Sequence, residues 1–432
     1  MKNKLLSIIK IDLVKHNLIF FVGTFVISVF NYLYYPILGR LVSVVEFGEI
    51  QATISIFMQL GILLTAFGYV VANITNNSHA SASKQNIILL ERVTLGLSIL
   101  VLLALVLLGG QLRSSLQFTS ITPLLLVGVL VILNVPSTTR SYVLQGMKKL
   151  RDVSISGIIF SIGKLVLTVA LIMVGMSVEG AIIGYILAQV ATLVYLTVRS
   201  KSFFPGLQHS FNLSLKFKGI GGIKKELQFG VVVLFLLAAL AILYSFDVVI
   251  ARLFLSPEAA GEYSGISSIA RIIYFATASV AGVLIASVAV KDTRQRSRRV
   301  LLGSLGMVGA VGLFILAIFT FLPTESVTVL LGASYAHVSY LLPITGLFMF
   351  IASVNNLLVT FQITRRKYET IIPVLVGMIV LVISLLLKHG GVQDLIMGYL
   401  VSNLVVFVIL ALQIARKNKN EKEATVYSPA QL

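Results

Sequence analysis

The stretch Arg40-Leu41-x4-Glu46-Phe47-Gly48-Glu49 recurs half a chain later as Arg252-Leu253-x4-Glu258-Ala259-Ala260-Gly261-Glu262. In both places the stretch follows one long apolar run and precedes another. Two weaker echoes have nearly the same separation: Gly184-Tyr185 with Gly398-Tyr399, and Gln145-x2-Lys148-Lys149 with Gln362-x2-Arg365-Arg366. The agreement of these separations indicates one unit duplicated in tandem, which is the architecture of many secondary transporters.

The composition is typical of a protein that lies in lipid. Hydrophobic residues make up 57% of the 432 residues and charged residues only 12%, and the mean hydropathy is +1.00. Soluble domains contain about 25% charged residues. No cleavable signal sequence is recognisable after Met1, so we expect the first span to act as an uncleaved anchor. The absence of cysteine excludes disulfides, zinc–thiolate sites and thiol catalysis.

Twelve apolar runs are long enough to cross a bilayer, which takes about 20 helical residues each. Backbone groups in hydrocarbon must be satisfied internally, and runs of this length predict helices rather than barrel strands. We therefore predict an all-α, polytopic integral membrane protein with about 12 transmembrane helices in two homologous six-helix lobes. The predicted spans are 17–38, 48–75, 87–110, 122–147, 153–175, 178–199, 228–255, 262–290, 300–322, 336–362, 369–388 and 394–415.

The distribution of positive charge predicts the orientation. If both termini are cytoplasmic, the inner segments hold most of the 34 Lys and Arg residues, whereas the outer loops hold Arg40, Arg113 and Lys388. This asymmetry follows the positive-inside rule. The positive-inside asymmetry also accounts for the net charge of +18. We therefore expect membrane lipids as partners of the basic residues and no nucleic acid. We expect a multi-pass protein of the cell (inner or plasma) membrane with cytoplasmic N and C termini.

The longest inner loop, residues 200–226, predicts the domain boundary because it is rich in glycine and lysine. We predict an N-terminal six-helix lobe at 1–199, a cytoplasmic linker at 200–226, a C-terminal six-helix lobe at 227–416 and a cytoplasmic tail at 417–432. The tail is polar and is expected to be disordered.

Charged side chains inside the apolar runs are costly, so each is a candidate for function, with helix packing as the alternative. Lys164 lies near the middle of the fifth span and shares a helical stripe with Ser161 and Thr168. A lysine on a small, polar stripe predicts a wet cavity that binds substrate. The alternative is a lysine that snorkels to a headgroup, which its depth opposes. Arg140, in the inner third of the fourth span, is a further substrate-binding candidate.

Asp247 in the seventh span and Arg271 in the eighth lie at similar depth, in the outer half of the predicted bilayer. One reading is a structural salt bridge between them. The other is that Arg271, with Tyr274 one turn further on, meets an anionic substrate while Asp247 binds a driving cation or holds Arg271 until the substrate arrives.

Hydroxyl, amide and tyrosine groups gather in spans one, two, seven and eight, with a further group in span ten. Such groups hydrogen-bond sugars, although they also join helices. The substrate-binding candidates among them are Ser161 in span five and, in the other spans, Asn31, Tyr35, Gln59, Tyr274 and Asn356.

The duplicated stretch supplies four residues to which we assign structural roles. Arg40 and Arg252 are expected to contact neighbouring loops, with substrate binding as the alternative, and Gly48 and Gly261 to allow the turn into the next span.

Enzyme signatures are missing from the sequence. No phosphate-cradling Gly-rich loop is present, and the five histidines show no metal-ligand spacing and no nucleophile–base pairing. We predict no catalytic residues, no metal and no cofactor.

The chain resembles the polysaccharide transporter family, the Wzx-type oligosaccharide-lipid flippases, which belong to a superfamily with the multidrug and toxin extruders and the lipid II flippase. The resemblance covers nearly the whole chain. It rests on the basic N-terminal stub, on Gly39-Arg40-Leu41, on Glu46-Phe47-Gly48, and on the second copy from Arg252 to Gly261. One departure is Asn73, where many relatives carry an arginine.

The resemblance implies two six-helix lobes around a cationic cavity, with Lys164, Arg271 and Arg140 as the positions that could match its basic residues. It implies transfer of a polyprenyl-diphosphate-linked oligosaccharide to the outer leaflet by alternating access, with polysaccharide polymerases or glycosyltransferases as partners. Diphosphate prefers Arg and Lys, and the spans hold five cations against one deep acid, Asp247, or two with Glu91. The alternative is a cation-coupled multidrug or toxin extruder, which would need buried acids.

Overall fold

The computed structural model describes residue 23 and residues 26–77, 80–204, 224–287, 294–364, 368–388 and 390–426. Within these ranges the chain is helical and contains no strand, which confirms the all-α prediction. Helix α1 covers residues 26–41. The other α-helices are α2 Val44–Asn77, α3 Ala80–Ser115, α4 Thr122–Gly146, α5 Leu150–Met173, α6 Val178–Arg199, α7 Lys224–Ser245, α8 Asp247–Phe254, α9 Pro257–Ser287, α10 Arg294–Phe321, α11 Pro323–Leu331, α12 Leu342–Thr364, α13 Ile371–Leu387 and α14 Val392–Val426.

Membrane spans follow the predicted apolar runs. Every predicted span from the second to the twelfth overlaps a helix, and the basic stub and the beginning of the first span lie outside the described residues. In the described part, 8 helices are long and apolar enough to cross a membrane, or 9 if the bent pair α7 and α8 is one span. The protein is therefore a multi-pass membrane protein.

Two compact units make up the chain. The first contains Met1–Ala238 and Val248–Gly265, and the second contains Ala239–Asp247 and Ile266–Leu432. This division runs through the seventh predicted span, not through the linker predicted at 200–226, of which 205–223 lies outside the described residues. The lobe boundaries stay a prediction. Helix α14 continues to Val426, so the first part of the tail is helical where disorder was expected.

The first unit owes its closest helix packing to small residues. Glycine and alanine let two backbones approach, which is how helices associate in lipid. A Cβ at Gly184 of α6 would collide with the Thr168 side chain of α5, and one at Gly163 would lie 3.4 Å from the Ala188 Cβ. The hydroxyl of Thr168 donates to the Ala181 carbonyl of α6 at 3.2 Å. The small, polar stripe of α5 is therefore a helix interface.

The second unit contains the end of α7, where the helix breaks. Helices α7 and α8 meet at a 57° bend, and such a break frees backbone carbonyls that need partners in the membrane. The Asn403 side chain donates to the Leu243 carbonyl at 2.9 Å, and the Arg271 guanidinium donates to the Ser245 carbonyl at 3.5 Å. Polar side chains on α9 and α14 therefore stabilise the broken end of α7.

Candidate functional site

Four cations are buried in the described spans: Arg140, Lys164, Arg252 and Arg271. A buried charge is tolerated when a partner of opposite charge and hydrogen bonds compensate the loss of water. Which of the four have such partners decides where an ionic substrate could be held.

Arg140 of α4 contacts Glu91 of α3 and Phe204, which follows α6. Its Nη1 donates to Glu91 Oε1 at 3.1 Å and to the Pro136 carbonyl at 3.0 Å. The guanidinium carbon also lies 5.0 Å from the ring centre of Phe204, within cation–π range. Arg140 is fully buried and already paired with Glu91, so in this conformation its charge is compensated within the protein. Direct substrate contact stays a prediction that requires this pair to open.

Arg252 pairs with Glu49, a residue of the first copy of the duplicated stretch. Its Nη2 lies 3.6 Å from Glu49 Oε2, and both side chains are fully buried. The Glu49 carboxylate also accepts the backbone N–H and the hydroxyl of Thr119, at 3.2 and 3.0 Å. The Phe118 ring centre lies 5.6 Å from the guanidinium carbon. Arg252 thus contacts the loop after α3 and pairs with the other copy of its own motif.

Gly48 and Gly261 meet at the same place. A Cβ at Gly48 would lie 2.7 Å from the Gly261 Cα, and one at Gly261 would collide with the Val44 carbonyl. Both glycines lie inside helices, α2 and α9, so the expectation that they allow a turn is wrong. Their physical role is to let α2 and α9 cross with their backbones in contact.

Asp247 and Arg271 form the third buried pair, in the second unit. Arg271 Nη2 donates to Asp247 Oδ1 at 2.5 Å, and the Ser267 hydroxyl donates to Asp247 Oδ2 at 2.5 Å. Asp247 is fully buried and Arg271 is 6% exposed. Of the two readings offered by the sequence, this geometry favours the salt bridge, because both carboxylate oxygens already accept hydrogen bonds.

Replacing Asp247 with asparagine should lower the unfolding free energy by about 1.5–3 kcal/mol, because the acceptor of the buried hydrogen bond loses its negative charge while Arg271 keeps its positive charge. Unfolding of the purified variant in detergent measures the effect. The control is Glu258→Gln, since Glu258 is exposed. An Asp247→Asn protein that unfolds no more easily than this control would contradict the assignment.

Tyr274 stacks on Tyr244 beside this pair. The two ring centres are 4.3 Å apart and the planes are nearly parallel, at 15°. In the same unit, Asn355 Nδ2 donates to the Asn403 backbone carbonyl at 2.9 Å. The side-chain oxygen of Asn355 is also buried and has no hydrogen-bond partner in the described structure. The broken end of α7 thus lies in a buried polar cluster.

Lys164 differs from the other three buried cations because it has no acidic partner among the described residues. Its ammonium nitrogen lies 4.9 Å from the ring centres of both Tyr34 and Tyr185 and 5.8 Å from that of Phe160. It donates to the Tyr185 hydroxyl at 3.3 Å. We call Tyr34, Phe160 and Tyr185 the aromatic cage. Cation–π contacts stabilise a desolvated ammonium by about 2 kcal/mol each, without neutralising it.

The predicted surroundings of Lys164 were wrong. The side chain is 4% exposed and lies in the aromatic cage, not in a wet cavity. The hydroxyl of Ser161, on the same stripe, donates a hydrogen bond to the Ile158 carbonyl of its own helix. The stripe resembles a cavity wall in sequence because the small polar residues that permit close helix packing are also those that line water.

The remaining candidates lie apart from any single site. Tyr35 is buried edge-on to Tyr34, at 5.8 Å between ring centres. Asn31, Gln59 and Asn356 are half-buried, and Arg40 is exposed at the end of α1. Their predicted roles in substrate binding stay predictions, as does the structural role of Arg40.

Sequence reasoning missed Glu49 as a buried acid. The residue closes the first copy of the duplicated stretch, in which roles were assigned only to Arg40 and Gly48. The signal was present: Glu49 follows Gly48 and has Glu262 as its counterpart beside Gly261. Glu49 pairs with Arg252, and Glu91 pairs with Arg140. Of the four buried cations, Lys164 is then the one without an acidic partner among the described residues.

Comparison with solved structures places the fold. An inward-facing MATE multidrug resistance transporter of the MOP superfamily matches with a TM-score of 0.68 and 14% identity, over 92% of this chain and 96% of that one. The lipid II flippase MurJ in an inward closed conformation matches with a TM-score of 0.68 and 13% identity, over 92% and 87%.

A MOP superfamily transporter from Pyrococcus furiosus, described as having a binding pocket of reverse polarity, matches with a TM-score of 0.59 and 14% identity, over 93% and 95%. At these identities the likeness shows the shared fold of two-lobed MATE and MurJ transporters. No curated protein sequence matches the chain significantly.

Comparison with protein families identifies the sequence more closely. The family described as "Polysaccharide biosynthesis protein" matches residues 13–286, which is more than half of the 432 residues and includes both copies of the duplicated stretch. The chain therefore belongs to the polysaccharide biosynthesis protein family.

Proposed function

We propose that the protein is a flippase that moves a polyprenyl-diphosphate-linked oligosaccharide from the cytoplasmic to the outer leaflet of the cell membrane. Both termini lie in the cytoplasm in this proposal, because the basic residues concentrate on that side. Transport proceeds by alternating access, as the duplicated sequence suggests. Polysaccharide polymerases and glycosyltransferases are the proposed partners.

The observation that carries the proposal is the uncompensated charge of Lys164. Three of the buried cations are balanced by Glu91, Glu49 and Asp247. Around the fourth, Lys164, the described residues supply aromatic rings and the Tyr185 hydroxyl but no acid. An anionic diphosphate that reaches this region is stabilised by charge-assisted hydrogen bonding to the ammonium group. An organic cation would be repelled by it, and Asp247 is already bound by Arg271.

Lys164 and Arg271 then have different roles. In this proposal Lys164 attracts the diphosphate within the first unit. Arg271 is held by Asp247 and becomes available only when that pair opens, so Asp247 controls Arg271 and binds no driving cation in this state. Family membership supports a polysaccharide precursor as the substrate, and the net charge of the buried groups supports its diphosphate as the part that is recognised.

The test is made in a strain that lacks the gene. We expect lipid-diphosphate-linked oligosaccharide to build up on the inner face of its membrane, and restoration of the wild-type gene to relieve the build-up. Measurement of the lipid on each face gives the result. Unchanged distribution of this lipid, together with altered sensitivity to cationic drugs, would contradict the proposal and favour the extruder.

A further inference from the structure

Three helices in the first unit end in the same hydrogen-bonded turn. In this turn the second residue after the helix takes a positive φ and donates to the carbonyl three residues back, and the next N–H donates to the carbonyl five residues back. Glycine is the usual residue because it has no Cβ to collide with the backbone. At the end of α5 the residue is glycine: Gly175 has φ +92° and donates to Ile172, and Met176 donates to Leu171.

At the end of α3 the position holds Gln117, with φ +52°. Its backbone N–H donates to Ser114 and that of Phe118 donates to Arg113. The side chain explains the choice of a residue other than glycine, because Gln117 Nε2 donates to the Leu255 carbonyl at 3.1 Å. The backbone strain here is offset by an internal contact.

At the end of α4 the position holds Lys148, with φ +60°. Its N–H donates to Gln145 and that of Lys149 donates to Leu144, each at 2.9 Å. The Lys148 side chain is exposed and contacts no partner in the part of the chain that the structure describes. Gln117 and Lys148 are the only non-glycine residues with positive φ there. Apart from these two backbone hydrogen bonds, no side-chain contact of Lys148 within the described residues offsets the strain, which points to a role outside the chain.

The surroundings of Lys148 are basic. Lys149 and Arg151 follow and are also exposed, and we call Lys148, Lys149 and Arg151 the basic turn. The nearby acid, Asp152, is paired with other residues: its Oδ1 accepts Arg199 Nε at 2.8 Å and the Tyr195 hydroxyl at 3.2 Å. The basic turn is therefore an exposed positive patch at the end of α4 that the predicted orientation assigns to the cytoplasmic face.

The basic turn also belongs to the internal repeat. Gln145-x2-Lys148-Lys149 corresponds to Gln362-x2-Arg365-Arg366 in the second half of the sequence, where residues 365–367 lie outside the described residues. General topogenic charge requires basic residues near this face but no particular backbone conformation. A lysine that keeps a strained position requires a more specific explanation.

We propose that the basic turn is a docking site for the diphosphate headgroup of a polyprenyl lipid at the cytoplasmic surface, before the lipid enters the transport path. The proposal rests on the flippase function proposed above. A diphosphate carries about two negative charges and several acceptor oxygens, which three adjacent cations match. Lys148, Lys149 and Arg151 are all exposed, so their charges are accessible to a headgroup at the membrane surface.

Binding of farnesyl diphosphate to the full-length protein in nanodiscs of zwitterionic lipid tests the proposal. The informative variant is Lys148→Gly, which removes the charge and also relieves the backbone strain. We expect its Tm to equal or exceed that of the wild type while its Kd for farnesyl diphosphate rises roughly fivefold, as for loss of one exposed ion pair. Replacement of all three cations by glutamine should raise the Kd at least about tenfold.

Controls separate the possible sources of binding. Lys84→Gln removes a half-buried cation of the predicted cytoplasmic face outside the basic turn and should leave the Kd unchanged. Wild-type Kd in Lys148→Gly and in the triple variant would overturn the proposal. So would equal competition by phosphatidylglycerol, because the site would then bind anionic phospholipid in general. Failure of the flippase function is distinguishable, since wild-type protein would still bind the probe while exporting no oligosaccharide.

Discussion

Replacing Arg252 with methionine should lower the unfolding free energy by about 3–5 kcal/mol, because the fully buried Glu49 is left without its counter-charge. Thermal or denaturant unfolding in detergent measures the loss. The sequence repeat offers a matched control: Arg40 is the counterpart of Arg252 in the first copy and is exposed. Arg40→Met should therefore have a small effect.

The double variant Glu49→Gln with Arg252→Met sharpens this test. Removing both charges of a buried pair is usually far less harmful than removing one, so the double variant should recover much of the loss. An Arg252→Met protein as stable as Arg40→Met would show that the Glu49–Arg252 contact does not contribute to stability.

Replacing Lys164 with methionine should reduce oligosaccharide export to the level of the strain without the gene, while leaving the protein folded and in the membrane. Methionine has a similar length and fits the aromatic cage, and it removes an uncompensated buried charge, so the unfolding free energy should be unchanged or higher. Export in the deletion strain, together with protein abundance and Tm, gives the two readouts.

Lys164→Arg is the matched variant, because it keeps the positive charge and can still contact the aromatic cage. We expect it to export more than Lys164→Met. Full export by Lys164→Met, at normal abundance, would refute the role of this charge in transport and would leave Lys164 as a packing residue only.

Much of the fold could be predicted from the sequence because long apolar runs admit only helices in a membrane. The predicted runs 122–147 and 178–199 correspond closely to Thr122–Gly146 and Val178–Arg199. The break of the seventh span into α7 and α8 was not predicted. No proline or glycine marks it, and the side chains that satisfy the broken helix, Asn403 and Arg271, come from distant positions.

The candidate site was less predictable. Sequence gives the depth of a residue in the membrane but not the direction in which its side chain points. Depth therefore suggested that Asp247 and Arg271 could meet, as they do. It could not tell that Lys164 faces Tyr34 and Tyr185 instead of water. The hydropathy pattern also gave no indication that Glu49 is buried. An acid near the end of an apolar run is usually interpreted as the boundary of a span and not as the buried partner of a cation.

Transfer of a defined lipid by the purified protein tests the central claim most directly. The protein is reconstituted in liposomes that contain a polyprenyl-diphosphate oligosaccharide with a fluorescent label on its sugar, and an impermeant quencher reports the outer-leaflet share. We predict that wild-type protein makes the inner-leaflet pool accessible and that Lys164→Met does not. An inner-leaflet pool that stays protected in wild-type liposomes, while an organic cation is transported, would contradict the account.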